Sequence, residues 1–181
     1  MDKKSLRQEL RKLRGSLGEE NRIKYSEEIW KTLKELDQFK DAKKIGIYLD
    51  FGSEVKTTSY ALELIGDKEV YVPRLRGREM DFVELTGLDG MKAGAFGILE
   101  PVKGKVIPPE ELDLILMPGL GFTLDGARLG YGGGYYDSYL PSTRAYLLAL
   151  AYEVQIKDKL PIEKWDWPIH GLVTEKSFYS F

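Results

Sequence analysis

Residues 125–140, Asp-Gly-Ala-Arg-Leu-Gly-Tyr-Gly-Gly-Gly-Tyr-Tyr-Asp-Ser-Tyr-Leu, constrain the fold more than any other stretch. Gly130, Gly132, Gly133 and Gly134 crowd into five positions, after the apolar run Leu114–Met117 and before Tyr135, Tyr136, Asp137, Tyr139 and Leu140. The order reads as strand, loop, glycines, helix start. Glycine adopts positive φ freely and lets a ligand approach the backbone closely. A helix start adds unpaired N–H groups and a partial positive charge, so the pattern predicts an anion site. Arg128 is placed to add a fixed positive charge, and Asp137 to hold a metal on phosphates. The stretch is not a Walker A loop, since no Gly-Lys-Ser/Thr closes it, and Gly130-x-Gly132-x-Gly134 is not the dinucleotide spacing. The competing reading is a flexible turn with a structural arginine.

The 181 residues suffice for one core and are short for two. No cysteine is present, which excludes disulfides, thiolate nucleophiles and Cys-zinc sites, and a single histidine excludes a multi-His site within one chain. Any metal would be held by oxygen, which favours magnesium-like ions. A net charge of −2 gives no general attraction to nucleic acid. The charged N-terminus does not read as a signal peptide, and no apolar run approaches membrane length. The expectation is a soluble, cytoplasmic protein, monomeric, with no nucleic-acid or membrane partner.

Lys3–Arg14 reads as a basic helix with Leu6, Leu10 and Leu13 on one face. Lys3, Lys4 and Arg7 at its start oppose the helix dipole, a cost that an external anion would offset. Gly15 reads as a C-cap, and Ser16 with Glu19 as a capping box for a helix running to about Leu36, with Ile23, Trp30 and Leu33 inward. Ile45–Leu49 is a buried strand. Thr57 or Thr58 then caps a helix carrying Tyr60, Leu62 and Leu64. Glu54 therefore sits on a loop at the C-terminal end of a strand, where open α/β sheets place ligands. Taken alone, it reads as a solvated loop carboxylate. Glu69–Val72 is a strand stopped by Pro73, and Met80–Leu85 is a half-exposed strand. Gly87–Gly97 is expected to be a mobile loop, and Ile98–Pro101 a short apolar lip. Leu112–Met117, Ala145–Tyr152 and Leu172–Glu175 are further strands. In the loop 156–170, Trp165 and Trp167 are expected to pack and His170 to be structural. Strands alternating with helices argue for an α/β layered domain with a largely parallel sheet. Strand order cannot be read from these patterns.

Several positions, in order along the whole chain, resemble the 5-formyltetrahydrofolate cyclo-ligase family. They are Lys3-Lys4-Ser5-Leu6-Arg7, Glu54-Val55-Lys56-Thr57, Tyr71-Val72-Pro73-Arg74, Pro118-Gly119, the run from Arg128 to Asp137, Leu148-Ala149-Leu150-Ala151 and the Asp166 loop. The resemblance implies one α/β/α domain over residues 1–181 with a mostly parallel central sheet. It also implies ATP- and magnesium-dependent closure of 5-formyltetrahydrofolate to 5,10-methenyltetrahydrofolate, with release of ADP and phosphate. By position, the ATP site would comprise Lys3, Lys4, Ser5, Leu6 and Arg7 with Arg128, Leu129, Gly130, Tyr131, Gly132, Gly133, Gly134, Tyr135 and Tyr136. Asp137 and Asp166 would hold magnesium. Leu49, Glu54, Tyr131, Gly132, Gly133, Gly134 and Tyr135 would contact folate, with Arg7 shared between both ligands. The Gly97–Pro101 lip is similar to the family segment that lies over the folate. Members often carry His-Asp-x-x-x-Asp in the last loop; here Asp166 is kept, while Trp165 and His170 take the other two places.

The implied chemistry needs no protein nucleophile. The residues must align two ligands and neutralise charge, which is most of phosphoryl-transfer catalysis. Arg128 and Asp137 are accordingly the expected catalytic pair, and Glu54 suits the paired N–H donors of a pterin. The alternatives are a non-catalytic folate or nucleotide binder, and a sugar-phosphate isomerase or CoA-transferase-like enzyme on a similar scaffold.

Overall fold

The computed structural model describes residues 2–181. Helices α1 (Lys3–Gly15), α2 (Glu19–Glu35) and α3 (Asp37–Lys40) precede strand β1 (Lys44–Ile47), and α4 (Thr58–Leu64) leads to β2 (Glu69–Arg76) and β3 (Glu79–Glu84). A hairpin follows, β4 (Met91–Ala93) and β5 (Leu99–Pro101), then β6 (Leu114–Met117) and a second small hairpin, β7 (Gly121–Phe122) and β8 (Arg128–Leu129). The chain ends with α5 (Tyr135–Tyr139), β9 (Tyr146–Leu150), β10 (Gly171–Val173) and β11 (Phe178–Ser180).

The central sheet has the order β11-β10-β9-β6-β1-β2-β3. Its five inner strands are parallel, and β3 and β11 close the edges antiparallel. Unbroken apolar runs such as Leu-Ile-Leu-Met in β6 suit strands covered on both faces. Alternation sends Ile45, Ile47, Leu114, Leu116, Leu148 and Leu150 to one face, against Ile29, Trp30 and Leu33 of α2 and Ala61 of α4. Ile115, Met117, Leu147 and Ala149 take the other, with Tyr139 and Leu140. Gly46 has room for no side chain there: a Cβ would lie 2.8 Å from the Phe82 ring, which fills the space. The three layers are unequal, since the second face is covered by the five-residue α5 and the turn Leu140–Ser142. Helix α1 belongs to neither outer layer; it packs through Leu10 on Leu120 and Leu129, at the β7–β8 hairpin beyond β6.

The order places a topological switch point between β1 and β6. From β1 the chain moves by way of α4 to β2 on one side, and from β6 it moves to β9 and β10 on the other. The loops leaving β1 and β6 therefore diverge and open a crevice at the C-terminal ends of the strands.

Several local expectations fail, each for a definable reason. Ser16 is not an N-cap: its backbone is helical (φ −69°, ψ −12°), its Oγ donates to Leu13 O, and α2 starts after Gly18 without a side-chain cap. Ile23 is exposed, and Ser26 and Ile29 face inward with Trp30 and Leu33. Neither threonine caps α4; Asp50 Oδ1 accepts from Thr57 N and Thr58 N, 2.8 Å each, while Thr57 Oγ1 donates to Tyr48 O. Pro73 does not stop β2. Leu85 N donates to Val70 O, so even-numbered residues of β2 face β3, and Pro73 turns its missing N–H toward β1, whose pairing ends at Tyr71. The stretch 87–97 contains β4 rather than only loop. Gly94 lets the buried Glu100 fold back against it and accept Leu75 N, which ties the hairpin to β2.

Candidate active site at the switch point

The loop after β1 carries Glu54 and is fixed from all sides. Tyr152 OH donates to Glu54 O (3.1 Å), Tyr48 OH to Val55 O (3.2 Å), and Trp30 Nε1 to Lys56 O (2.7 Å). Ser26 Oγ accepts Lys56 N (3.0 Å). Glu54 is consequently not a solvated carboxylate: it is 7% exposed, with Oε2 accepting Phe51 N (2.8 Å) and Oε1 accepting the Tyr131 hydroxyl. Burial raises its pKa, against the opposing effects of Tyr131, the Phe51 amide and Arg14. Leu49, just upstream, is buried and belongs to the core.

Opposite stands the wall formed by β8, the glycines and α5. Arg128 is buried between Pro118, the glycine stretch and Tyr136, whose ring centre lies 5.4 Å from its Cζ. Nη2 is 3.5 Å from Asp137 Oδ1, and Nη1 donates to Pro118 O at 3.4 Å. Burial pulls its pKa down and Asp137 pulls it back up; an arginine stays charged in either case. Its buried Nε has no hydrogen-bond partner among the described residues, and such a donor costs about 1–3 kcal/mol until an acceptor arrives. Gly132 and Gly134 take positive φ, 106° and 71°, which a side chain would strain. Gly132 also lies under the Arg7 guanidinium, where a Cβ would be 3.3 Å from Cζ.

Helix α1 bridges the two walls. Lys3 Nζ reaches Asp166 Oδ2 (2.8 Å) and Glu163 Oε1 (3.5 Å), and Arg7 Nε donates to Gly130 O (2.9 Å). Asp2 caps the helix, accepting from Lys4 N and Ser5 N, which softens the dipole conflict expected from the basic first turn. Lys4 and Ser5 are exposed, while Leu6 and Leu129 serve the packing around Leu10. Tyr135 donates to Gly77 O (3.3 Å) and fixes α5 to the β2–β3 turn.

With this geometry established, known proteins supply the family. Residues 1–175 match the sequence profile of the 5-formyltetrahydrofolate cyclo-ligase family. The chain belongs to that family. A mouse 5-formyltetrahydrofolate cyclo-ligase is 31% identical over 97% of this chain and 94% of its own, and one from Haemophilus influenzae is 31% identical over 94% and 96%. The solved structure of Aquifex aeolicus 5,10-methenyltetrahydrofolate synthetase superposes with a TM-score of 0.91 at 38% identity, covering 99% of this chain and 93% of that one.

The donor set can be tested against the magnesium that the cyclo-ligase resemblance implies. Among the described residues no three His, Cys, Asp or Glu side chains cluster as a protein-only cage. Magnesium bound with a nucleotide needs only one or two carboxylates, the phosphates and water supplying the rest. Asp137 directs its contacts through Oδ1, to Arg128 and Trp167 N (2.9 Å), and Asp166 through Oδ2, to Lys3 and Glu163 N (2.8 Å). Each keeps one oxygen for an ion, so the residues fit. Trp165 and Trp167 are more exposed than the packing expectation allows, at 61% and 39%. His170 is structural as expected: Nδ1 accepts Leu147 N (2.9 Å), and burial lowers its pKa.

Sequence reasoning missed Arg14 and Gln155. Arg14, 4% exposed, donates from Nε to Ser53 Oγ (2.9 Å) and from Nη1 to Tyr131 OH (2.8 Å) and Gly119 O (3.2 Å). Gln155 Nε2 donates to Gly119 O (2.9 Å) and Leu120 O (3.1 Å), and holds the loop after β6. A signal for Arg14 was present: it lies four residues after Leu10, on the inward face of α1, where a cation needs partners.

Proposed function

We propose that the chain closes 5-formyltetrahydrofolate to 5,10-methenyltetrahydrofolate in this crevice, consuming ATP and releasing ADP and phosphate. The observation that carries the reading is the pairing of two unlike walls across one switch point. One presents a buried carboxylate suited to paired pterin N–H groups. The other presents a buried guanidinium with an unpartnered Nε beside a glycine loop.

The formyl oxygen of the substrate attacks the γ-phosphorus while the bond to ADP breaks. N10 then adds to the activated carbon and gives up its proton, and phosphate leaves as the ring closes. Arg128 and the glycine N–H groups stabilise the charge on the transferring group, and Arg7, which is fixed on Gly130 O, would be shared by both ligands. Lys3 closes the nucleotide side through Asp166. Asp137 and Asp166 would hold magnesium, which would supply neutralisation of phosphate charge. Glu54 orients the pterin, and the apolar rim formed by Phe51 and the Gly97–Pro101 lip covers it; a Cβ on Gly97 would lie 3.6 Å from the Phe51 ring.

One assay tests this: purified protein with ATP, magnesium and 5-formyltetrahydrofolate, followed by the near-ultraviolet absorbance of the methenyl product and by ADP release. Both should appear together and require both substrates. Binding of both ligands without product would identify a non-catalytic binder, and turnover without ADP would point to an isomerase- or transferase-like enzyme.

A further inference from the structure

Tyr131 links the two walls. Its hydroxyl donates to Glu54 Oε1 and accepts from Arg14 Nη1 at 2.8 Å, with the Arg14 Cζ 5.8 Å from its ring centre. Its backbone lies in the glycine stretch, between Gly130, whose carbonyl Arg7 holds, and Gly132 at φ 106°. Glu54 has two acceptor oxygens: one is committed to the Phe51 amide and the other to this phenol. Glu54 is only 7% exposed and the Tyr131 hydroxyl covers Oε1, so a pterin edge bringing paired N–H donors to both oxygens meets that hydroxyl first.

We propose that Tyr131 is a gate: its phenol stands in for the pterin at Glu54, and folate entry expels it and resets the glycine loop that receives the phosphates. The inference rests on the folate-and-ATP reading above and adds an order to it. Folate competes with Tyr131 for one carboxylate oxygen, and the displaced residue transmits the event along a main chain with glycine at positions 130 and 132. Arg14 is the positioning residue. Its bonds to Ser53 and Gly119 do not depend on Tyr131, so it stays in place when the phenol leaves and its charge continues to support Glu54. Burial and the neighbouring Glu54 raise the pKa of Tyr131, so the phenol keeps its proton and remains the donor of the pair.

Two measurements test the gate. In the unaltered protein, amide hydrogen exchange is followed with 5-formyltetrahydrofolate alone, without nucleotide. Exchange should change both at the Phe51–Thr57 loop and at residues 129–135. Protection confined to 51–57 overturns the gate while leaving the functional reading intact; no change at either site rejects both. In the second measurement, Tyr131→Phe removes the stand-in hydroxyl but keeps the ring. Folate alone should bind about three- to tenfold more tightly, the size of one net hydrogen bond. The effect of folate on the affinity for a non-hydrolysable ATP analogue should shrink toward none, because the link from Glu54 to the loop is gone. Unchanged or weaker folate binding with the coupling intact overturns the proposal. Circular dichroism confirms the fold of the variant, and the exchange experiment stands without it.

Discussion

The two walls of the crevice are built on opposite principles. The Glu54 wall is over-determined: its loop is tied by bonds from Tyr152, Tyr48, Trp30 and Ser26, all rooted in the core or in α2. The glycine wall is held by β8 on one side and α5 on the other, with side-chain bonds at Gly130 O and the Tyr131 hydroxyl between them, while Gly132 through Gly134 are exposed. A rigid carboxylate suits recognition of a flat heterocycle, whose donors have fixed spacing. An adjustable loop suits a phosphoryl group that changes geometry and charge during transfer. In the proposed reaction the first wall would select the folate, and the second would supply the charge neutralisation on which phosphoryl transfer depends.

Substitutions should separate the two roles. The largest effect is expected at the glycine wall: Arg128→Ala or Asp137→Ala should lower kcat by about 10²-fold or more, the scale of one lost charge-stabilising donor. Folate affinity measured without nucleotide should hardly move. Steady-state kinetics and a folate titration check this, and near-parental turnover in folded variants would remove both residues from the chemistry.

Glu54→Gln should invert the pattern. Folate should bind about 10- to 100-fold more weakly, as expected for hydrogen bonds to a charged acceptor, while nucleotide affinity is retained; equal losses would indicate a folding defect. The same variant carries a pH signature. Burial raises the Glu54 pKa above its ordinary 4.5, so the folded chain keeps a proton that the unfolded chain has lost. Its contribution to stability is complete below about 4.5 and is lost as pH rises through the folded value. The glutamine variant escapes that loss, so its stability in urea titrations should gain on the parent's as pH rises above 4.5.

Arg14→Lys tests the support behind both walls. Lysine keeps the charge but cannot reproduce the fork that reaches Ser53, Gly119 and Tyr131, so chemical denaturation should show a loss of about 1–3 kcal/mol. The smallest effect belongs to Lys3→Ala. Its pairs with Asp166 and Glu163 are only partly buried, so stability should fall by less than about 1 kcal/mol. The apparent KM for ATP should rise, with folate KM unaffected.

The ease of reading these residues from the chain tracks how local their signals are. The apolar face of α1, the buried runs of β6 and β9, and the glycines beside Arg128 are legible because periodicity and composition act over a few residues. Ser16 and Glu19 illustrate the limit, since a capping pattern exists there but the backbone at Ser16 is already helical. Thr57 fails as a cap because Asp50, seven residues earlier, reaches the helix start first. Pro73 fails as a strand end because the consequence of its missing N–H depends on which neighbour it faces, and β1 pairs no further than Tyr71.

By itself, the amino-acid sequence determined the α/β class, the mostly parallel sheet, the cyclo-ligase motifs, the place of Glu54 on a loop after a strand, and the places of Arg128 and Asp137 on either side of the glycines. Those follow from short-range patterning and from glycine's backbone freedom. Only the tertiary structure decided the strand order, and with it the switch point that sets Glu54 across from the glycines. It also decided that Tyr131 bonds a carboxylate 77 positions away and an arginine 117 positions away. Pairings at such separations leave no periodic trace along the chain; they exist because a parallel sheet brings the C-terminal ends of distant strands to one edge.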